Sequence, residues 1–470
     1  MKYPLAVCGL LCGLICSTTQ ADPAVQSGSQ SVADLGHAIL KQLIEINTTA
    51  AHGSTAAAQA IYDRLQNAGF SGDDLHILAP ANHPERANVV ARLRGKNLAR
   101  PILYIGHLDV VEALREDWSM DPFALNQQDG WLYGRGTIDM KGQDTAVLTS
   151  LITLKQQGFV PERDIIVAFT ADEEEGDANG VEWLLKEHRP LVDAALAINP
   201  DGGEAGMEHG KRRYLVMQTS EKIYITYKLE VTDKGGHSSR PTPQNPIYRL
   251  AHALDRLSGF QFPVHLTDTT KLYFTRRAEL ETGQLKADML QMAKAHPSPA
   301  AMQRLSADIN TNILMRTTCT ATMLEGGHAE NALPQRAGVT IQCRVVPGET
   351  PESVQKQLAG VIRDGSVSIK SISTPVLSPE SIPTREVMQP LEELVHTMWP
   401  EVAVMPQMSP GASDSIYTRA AGIPTFGIDA MFTDIDDDRF HGRDERISEE
   451  AFLQELDFTR RLMQRLSAAH

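Results

Sequence analysis

The sequence is short of basic residues, cysteines and long apolar runs. Its 470 residues carry 44 Lys and Arg against 59 Asp and Glu, a net charge of −15. A chain of this charge is not expected to bind nucleic acid or an anionic membrane by long-range attraction. No segment has the run of about 18 apolar residues that a membrane-spanning helix needs. With 42% hydrophobic residues, the composition is nevertheless that of a globular protein with room for two or three domains.

Three of the five cysteines lie in an N-terminal segment that has the features of a secretory signal peptide. Lys2 precedes an apolar run over residues 5–16, and small residues lead to Ala21. Residues 1–21 are therefore predicted to be a signal peptide cleaved after Ala21, so that the protein is secreted or periplasmic and leaves the membrane on cleavage. A buried N-terminal helix is the alternative. Only Cys319 and Cys343 then remain, and they could form one disulfide or stay as two buried thiols.

Short β-rich segments alternate with helical ones over much of the chain. The predicted strands are 88–93, 102–105, 165–169, 195–199 and 425–428. Helical spacing occurs over 33–69 with a pause near residue 50, and then over 142–157, 181–187, 391–398 and 449–466. This alternation predicts an α/β fold with a mostly parallel sheet covered on both faces.

A different pattern predicts a second domain inserted into the first. Its elements are a strand at 223–231, a helix at 246–257, strands at 317–324 and 337–346, a helix at 353–364 and a strand at 366–372. This β-α-β-β-α-β order is typical of a small α+β sandwich. The first domain is therefore assigned to residues 22–214 and 374–470, and the inserted one to 215–373. A helical insertion at 266–312 has no chemistry that the sequence identifies.

Acidic and histidine side chains follow several of the predicted strands of the first domain. The residues concerned are His107, Asp109, the acidic run Asp172-Glu173-Glu174-Glu175, Asp201 and His441, together with Asp139 at a helix start. Ligands of open α/β sheets bind at the carboxyl ends of strands, and several carboxylates share one crevice only when a cation neutralises them. Two imidazoles and three carboxylates suit zinc better than magnesium, and one shared carboxylate would bridge two ions roughly 3.5–4 Å apart.

Each of these motifs alone has a plainer interpretation. His107 and Asp109 could be a surface pair, the glutamates a solvated helix start, and Asp201 a turn residue. The Gly-rich stretch 134–142 lacks the Walker spacing of a phosphate loop. The ordered set at strand ends is more specific than its parts, and Asp109 is well placed to orient the His107 imidazole.

Together the motifs resemble those of the co-catalytic zinc peptidases and deacylases, the family of aminoacylase, carboxypeptidases of the G and S types, acetylornithine deacetylase and succinyl-diaminopimelate desuccinylase. The resemblance extends from about residue 88 to the C-terminus. The stretches that carry it are Gly106–Val111, Asp117–Phe123, Tyr133–Gly142, Asp172–Gly176, Asp201, Gly235–Pro241, Asn331–Pro334, Gly411–Asp414 and His441–Ile447.

The resemblance implies a site with two zinc ions per subunit, for which cobalt or manganese could substitute. It assigns His107 and Asp201 to one ion, Glu174 and His441 to the other, and Asp139 to both. Glu173 corresponds to the general base that takes a proton from the attacking water and passes it to the leaving nitrogen. A cis peptide bond between Asp139 and Met140 is also implied.

The resemblance makes the inserted domain a lid and dimerisation domain. His237 matches a histidine that reaches across a homodimer to stabilise the oxyanion in the partner's site. Asn331 and Arg344 match lid residues that contact substrate, and Gly411 matches a backbone position that lines the substrate pocket. On the sequence alone, His237 would be a turn histidine and Arg344 a surface charge. Thr374 stands where some carboxypeptidases of the family carry an arginine, so a strict preference for glutamate is not implied.

The implied function is a dizinc hydrolase that cleaves an amide or peptide bond next to a free carboxylate. Its substrates would be small peptides, cut as by a carboxypeptidase or dipeptidase, or N-acyl amino acids. A biosynthetic deacetylase or desuccinylase is one alternative, although an export signal does not favour it. A catalytically silent binder of metal or peptide is the other, and the complete ligand set with Glu173 counts against it.

Overall fold

The computed structural model describes residues 23–468, so the predicted signal peptide lies outside the described residues. The helices are α1 (Pro23–Glu45), α2 (Thr55–Asn67), α3 (Lys141–Gln156), α4 (Gly180–Glu187), α5 (Arg189–Val192), α6 (Pro246–Ser258), α7 (Asp268–Leu280), α8 (Gly283–Met292), α9 (Pro299–Leu305), α10 (Ile309–Met315), α11 (Pro351–Ile362), α12 (Arg385–Met398), α13 (Ser415–Ala420) and α14 (Glu449–Leu466). None of these helices is both long and apolar enough to cross a membrane.

The strands of the described chain are mostly short. They are β1 (Leu75–Leu78), β2 (Asn88–Leu93), β3 (Ile102–His107), β4 (Asn126–Gln128), β5 (Trp131–Tyr133), β6 (Ile165–Thr170), β7 (Leu196–Ile198), β8 (Glu204–Glu208), β9 (Lys211–Glu221), β10 (Ile223–Thr232), β11 (Gly236–His237), β12 (Thr318–Gly326), β13 (Ala332–Leu333), β14 (Arg336–Val345), β15 (Ser368–Ser371), β16 (Ala403–Ser409), β17 (Thr425–Ile428), β18 (Phe432–Asp434) and β19 (Arg446–Ser448).

Ten strands form one large sheet in the order β1-β2-β6-β3-β7-β17-β9-β8-β18, with β16 also paired to β9. The central strands β6, β3, β7 and β17 run parallel, whereas β2 and β9 join them antiparallel. The α/β class is confirmed, and the sheet is mixed, with its parallel part at the centre. The sequence prediction missed the β8–β9 hairpin, whose turn residues His209 and Gly210 both have positive φ angles, as a tight hairpin requires.

The parallel centre of the sheet is buried on both faces, which explains the apolar runs that predicted it. Every residue of β3 and of β6 is buried. Helix α3 is buried from Lys141 to Leu154. The carboxyl ends of β3, β6 and β7 therefore lie at one edge of a rigid, covered sheet, and the loops that follow them carry the predicted site residues.

A second sheet has the order β12-β14-β10-β15, with every pair antiparallel. Strand β10 alternates between buried and partly exposed residues, and α6 and α11 contribute to the same apolar core. The predicted order β-α-β-β-α-β is thus present. The boundaries of this inserted domain and its role as a lid stay predictions.

The helical insertion predicted at 266–312 forms helices α7 to α10. Helix α7 packs on β16, and its Tyr273 and Leu280 contact an apolar cluster that contains Tyr214 and Met405. Arg277 adds an ion pair to Glu208 of the β8–β9 hairpin, with 3.1 Å between Nη2 and Oε1. The insertion therefore covers part of the large sheet rather than only extending the second one.

The two cysteines outside the predicted signal peptide are joined in a disulfide. Cys319 of β12 and Cys343 of β14 are direct cross-strand neighbours, with their Cα atoms 4.1 Å apart. Of the two possibilities that the sequence leaves open, the structure shows the disulfide.

Candidate metal centre and active site

His107, Asp139 and Glu174 form a cluster whose potential metal-binding atoms all lie within 4.8 Å of one another. His107 is the last residue of β3 and is 2% exposed. Asp139 lies two residues before the start of α3, and the predicted cis peptide bond between Asp139 and Met140 is present. Glu174 lies in the loop that follows β6. These three residues can hold a metal ion, since imidazole and carboxylate groups together suit zinc and similar divalent cations.

The Asp139 carboxylate lies between two imidazoles. Its Oδ1 atom is 3.1 Å from His107 Nε2, and its Oδ2 atom is 2.8 Å from His441 Nε2. Each oxygen therefore faces a different histidine, as expected of a carboxylate that is shared by two metal ions. Although burial opposes ionisation, the hydrogen bonds from these two histidines lower the pKa of Asp139.

Glu174 and Asp201 complete the set of predicted ligands. Glu174 Oε1 is 3.4 Å from His441 Nε2 and has no well-formed hydrogen bond within the described chain. Asp201, in the turn after β7, lies outside the 4.8 Å cluster but interacts electrostatically with His107 and Asp139; burial is the main cause of its raised pKa. Buried carboxylate oxygens without donors are unfavourable unless a cation neutralises them. The donor set therefore fits divalent metal ions.

Asp109 contacts the His107 imidazole through its backbone carbonyl rather than through its carboxylate. The His107 Nδ1 atom bonds the backbone carbonyl of Asp109 at 3.0 Å, whereas the Asp109 carboxylate is 3.8 Å away. That carboxylate instead accepts the backbone N–H groups of Glu173 (3.1 Å) and Glu174 (3.0 Å). The imidazole is still oriented by Asp109, with Nε2 directed to the cluster, but through the main chain. The side chain fixes the loop that carries the predicted base.

Glu173 has the environment of a carboxyl group that binds a proton readily. Burial is the main cause of its raised pKa, and the negative charges of Asp201, Asp414 and Glu174 raise it further, while His107 opposes them. The preceding residue, Asp172, has φ of +65° and forms an ion pair with Arg86, with 3.3 Å between Oδ1 and Nε. The chain therefore turns sharply at the end of β6, and this turn places Glu174 in the cluster with Glu173 directly before it in the chain.

Sequence reasoning missed two buried acids that support the site. Glu445 is fully buried and accepts the N–H groups of Gly136 and Ile138, and its partner Arg135 also bonds the carbonyl oxygen of Gly442. The loop of Asp139 is thereby tied to the loop of His441. Asp414 accepts a bond from Asn179 Nδ2 at 2.6 Å, and burial raises its pKa to about 6. Both acids lie within stretches that resemble the family, Gly411–Asp414 and His441–Ile447, and this resemblance was the signal that could have identified them.

The remaining predicted residues fall into separate groups. Gly411 and Asp201 line one cavity of about 220 Å³, together with Glu204 and Phe440. His237 and Asn331 lie side by side on the β11–β13 ribbon, where Ser238 N–H bonds the Asn331 carbonyl oxygen at 3.1 Å. Both are exposed, and within the described residues neither side chain forms a hydrogen bond or ion pair with the metal cluster.

Arg344 lies on β14 with its guanidinium 4.9 Å from the Tyr224 ring centroid. Its Nη1 atom is buried and has no hydrogen-bond partner within residues 23–468. Burial lowers the pKa of Arg344, since it disfavours the charged guanidinium. An unpartnered buried guanidinium donor is suited to bind an anionic group.

Comparison with known proteins identifies relatives that are similar in sequence or in fold over most of this chain. Residues 103–465 match the family described as peptidase family M20/M25/M40. A probable carboxypeptidase S-like 2 of Dictyostelium discoideum is 32% identical over 372 residues, which cover 76% of this chain and 70% of that protein. The bovine N-fatty-acyl-amino acid synthase/hydrolase PM20D1 is 26% identical, over 76% of this chain and 73% of the relative. The M20 family metallo-carboxypeptidase Sso-CP2 from Sulfolobus solfataricus shares the fold, with a TM-score of 0.66 at 18% identity over 92% of this chain and 99% of its own.

Proposed function

Because the chain belongs to peptidase family M20/M25/M40 and is a metal-dependent peptidase or amidohydrolase, we propose that it uses two zinc ions to cleave an amide bond next to a free carboxylate. The observation that carries this proposal is the Asp139 carboxylate, each of whose oxygens faces a different histidine. His107 and Asp201 would hold one ion, Glu174 and His441 the other, and Asp139 both. When bound, such ions polarise a carbonyl group and make water more acidic.

Glu173 performs the proton transfers in this proposal. Its raised pKa enables it to accept the proton that water releases as the new C–O bond forms. It then donates that proton to the nitrogen as the C–N bond breaks, which leaves an amine and a carboxylic acid, and the remaining proton of the water passes from the acid to the amine to give a carboxylate and an ammonium group. The backbone hydrogen bond to Asp109 keeps Glu173 in place during both transfers.

Arg344 is the proposed anchor of the substrate carboxylate. Its Nη1 donor, which has no hydrogen-bond partner in the described chain, and the cation–π contact with Tyr224 leave the guanidinium oriented and able to bind an anion. The small cavity beside Asp201 and Gly411 favours short acyl groups or single amino-acid residues over long chains. Small peptides and short N-acyl amino acids are therefore the proposed substrates.

The second sheet is proposed to act as lid and dimer contact. Strand β12 is at the edge of its sheet, and its Met323 and Leu324 are about 70% exposed. Pairing of this edge with a second copy would cover these side chains. The exposed His237 would then serve the site of the partner, since it bonds no cluster residue among the described residues of its own chain.

Secretion or periplasmic location is proposed from the predicted signal peptide. The Cys319–Cys343 disulfide supports it, because such bonds persist mainly in oxidising compartments.

Hydrolysis of a panel of dipeptides and N-acyl amino acids, with zinc, cobalt or manganese, tests this function. The Glu173→Gln variant should keep its metal and lose turnover by at least about 100-fold. Glu175→Gln is the matched control, because Glu175 lies in the same loop but is exposed. Substantial hydrolysis by Glu173→Gln would refute the assigned mechanism, and metal binding with no hydrolysis of any substrate by the wild type would favour the silent binder.

A further inference from the structure

Arg316, between α10 and β12, is a buried cation that forms no ion pair with any described residue. Four arginines of the described chain are less than a tenth exposed: Arg135, Arg163, Arg316 and Arg419. Arg135 pairs with Glu445, Arg163 with Glu386 and Arg419 with Glu221. Arg316 is 7% exposed and forms no ion pair within residues 23–468. A buried charge without a partner of opposite sign is unfavourable, so an anion bound beside Arg316 would offset this cost.

The contacts of Arg316 are with neutral groups only. Its Nη1 atom donates to Gln261 Oε1 at 3.0 Å and to the Phe262 carbonyl oxygen at 3.1 Å, and Nη2 donates to Ser306 Oγ at 2.7 Å. The Nε atom is buried and has no partner in the described part of the chain. Glu349, which binds the neighbouring Thr317, forms no ion pair with Arg316. The guanidinium is therefore held in a fixed orientation with its charge uncompensated.

Arg316 and Gln261 lie between two cavities. One has a volume of about 450 Å³ and lies beside the core of the second sheet, with Leu257, Phe260 and Leu358 in its wall. The other, of about 560 Å³, lies towards the helical insertion. The rings of Phe260 and Phe262 make an edge-to-face contact at 4.9 Å. A cavity of this size, with apolar side chains in one wall, polar ones such as Asn312 and Thr318 in the rest and one cationic group, has the dimensions and chemistry of a small-molecule site.

We propose that the cavity beside Phe260 binds a small amphipathic carboxylate, whose anionic group pairs with Arg316 and whose hydrocarbon part packs against Leu257, Phe260 and Leu358. This site is separate from the metal centre. It adjoins the connection between the two sheets, because Lys222, which joins β9 to β10, donates from Nζ to the Arg316 carbonyl oxygen at 2.7 Å. A ligand there would act on the segment that links the two sheets.

Calorimetric titration of the metal-loaded protein with octanoate tests the proposal. We expect saturable binding of one octanoate per chain at the cavity, together with a rise in melting temperature that depends on octanoate concentration. Acetate, which lacks the tail, and octan-1-ol, which lacks the charge, should bind at least about ten-fold more weakly. Equal binding of octan-1-ol would overturn the role of Arg316.

Variants assign the binding to this cavity. Arg316→Gln should weaken octanoate binding at least about ten-fold. Because that change also removes internal hydrogen bonds, a second variant is needed. Ala321 is exposed on β12 and lines the same cavity, so Ala321→Trp should weaken octanoate binding by filling the cavity while leaving Arg316 unchanged. Arg385→Gln, at an exposed arginine of α12, should bind as the wild type does.

The metal centre could itself attract a carboxylate, so the titration is repeated with His107→Asn. Unchanged octanoate binding in that variant supports the separate site, whether or not the protein proves to be a hydrolase. Binding that is lost in His107→Asn but kept in both Arg316→Gln and Ala321→Trp would place octanoate at the metal centre and overturn the proposal.

Discussion

The Asp109 carboxylate accepts the backbone N–H of Glu173 at 3.1 Å, while its second oxygen accepts the N–H of Glu174 at 3.0 Å. A single side chain thus fixes both the proposed base and a proposed metal ligand. The carbonyl oxygen of the same residue orients His107 at 3.0 Å. Asp109 therefore links the loop after β3 to the loop after β6. Its carboxylate oxygens position the loop of Glu173 and Glu174, and its carbonyl oxygen orients His107.

Asp109→Asn should separate those two functions. The amide has only one oxygen to accept hydrogen bonds, so one N–H of the base loop loses its partner, whereas the main-chain contact with His107 remains. We expect kcat to fall about 10–100-fold with little change in KM or bound metal. Steady-state kinetics and metal analysis check this, with Asp73→Asn, at an exposed aspartate, as the control. Loss of metal in step with activity would show that Asp109 acts on the metal site instead.

The metal-free protein should lose stability as the pH rises. The hydrogen bond to Asp139, together with the nearby Glu174 carboxylate, raises the pKa of His441 to about 10, from an ordinary value of 6.5. A raised pKa in the folded state stabilises the fold fully below about pH 6.5, and this contribution is lost as the pH rises through about 10. Urea unfolding of chelator-treated protein across this interval measures the effect.

Two comparisons make the pH experiment specific. His441→Asn should flatten the pH dependence of the metal-free protein, whereas His209→Asn, at a histidine whose side chain is 90% exposed, should not. Metal-loaded protein should lack this dependence, because a metal ion binds the neutral imidazole. If the stability of metal-free His441→Asn fell with pH as steeply as that of the wild type, His441 would not be the cause of the pH dependence.

The sequence could predict the centre of the fold because its signals there are local. Strands β3 and β6 are continuous apolar runs, and α14 was predicted over its observed range of Glu449–Leu466. Strand β16 was missed because Pro406 interrupts it, which an edge strand tolerates. The β4–β5 hairpin was also missed, although its Asp129-Gly130 turn, with both φ angles positive, has a recognisable hairpin sequence.

The predicted metal ligands follow strand ends, so their convergence could be inferred from topology. The supporting contacts could not, because their partners are distant in sequence. Glu445 bonds the N–H of Ile138, 307 residues away, and Asp414 bonds Asn179, 235 residues away. Whether a buried carboxylate meets such a donor depends on how two loops pack, and neither hydrophobic periodicity nor spacing contains that information.

Reduction of the Cys319–Cys343 disulfide should destabilise the second sheet. The bond closes a loop with a sequence separation of 24, and a link of this size typically contributes about 2–4 kcal/mol by restricting the unfolded chain. Denaturant unfolding with and without a reductant measures the loss. The double variant Cys319→Ala, Cys343→Ala should not respond to the reductant, and an unchanged wild-type stability on reduction would contradict the prediction.

Arg344 should determine how strongly the enzyme prefers substrates with a free carboxylate. Its Nη1 atom has no hydrogen-bond partner within the described chain, so a substrate carboxylate can form a charge-assisted hydrogen bond without displacing another group. Arg344→Gln should therefore reduce kcat/KM about 10–100-fold for a dipeptide and leave the rate for its C-terminal amide almost unchanged. Arg336→Gln is the matched control, since Arg336 lies on the same strand but is exposed and paired with Glu230. If Arg344→Gln slowed both substrates equally, the side chain would serve the folding of β14 rather than the recognition of the carboxylate, because a structural defect cannot distinguish the acid from its amide.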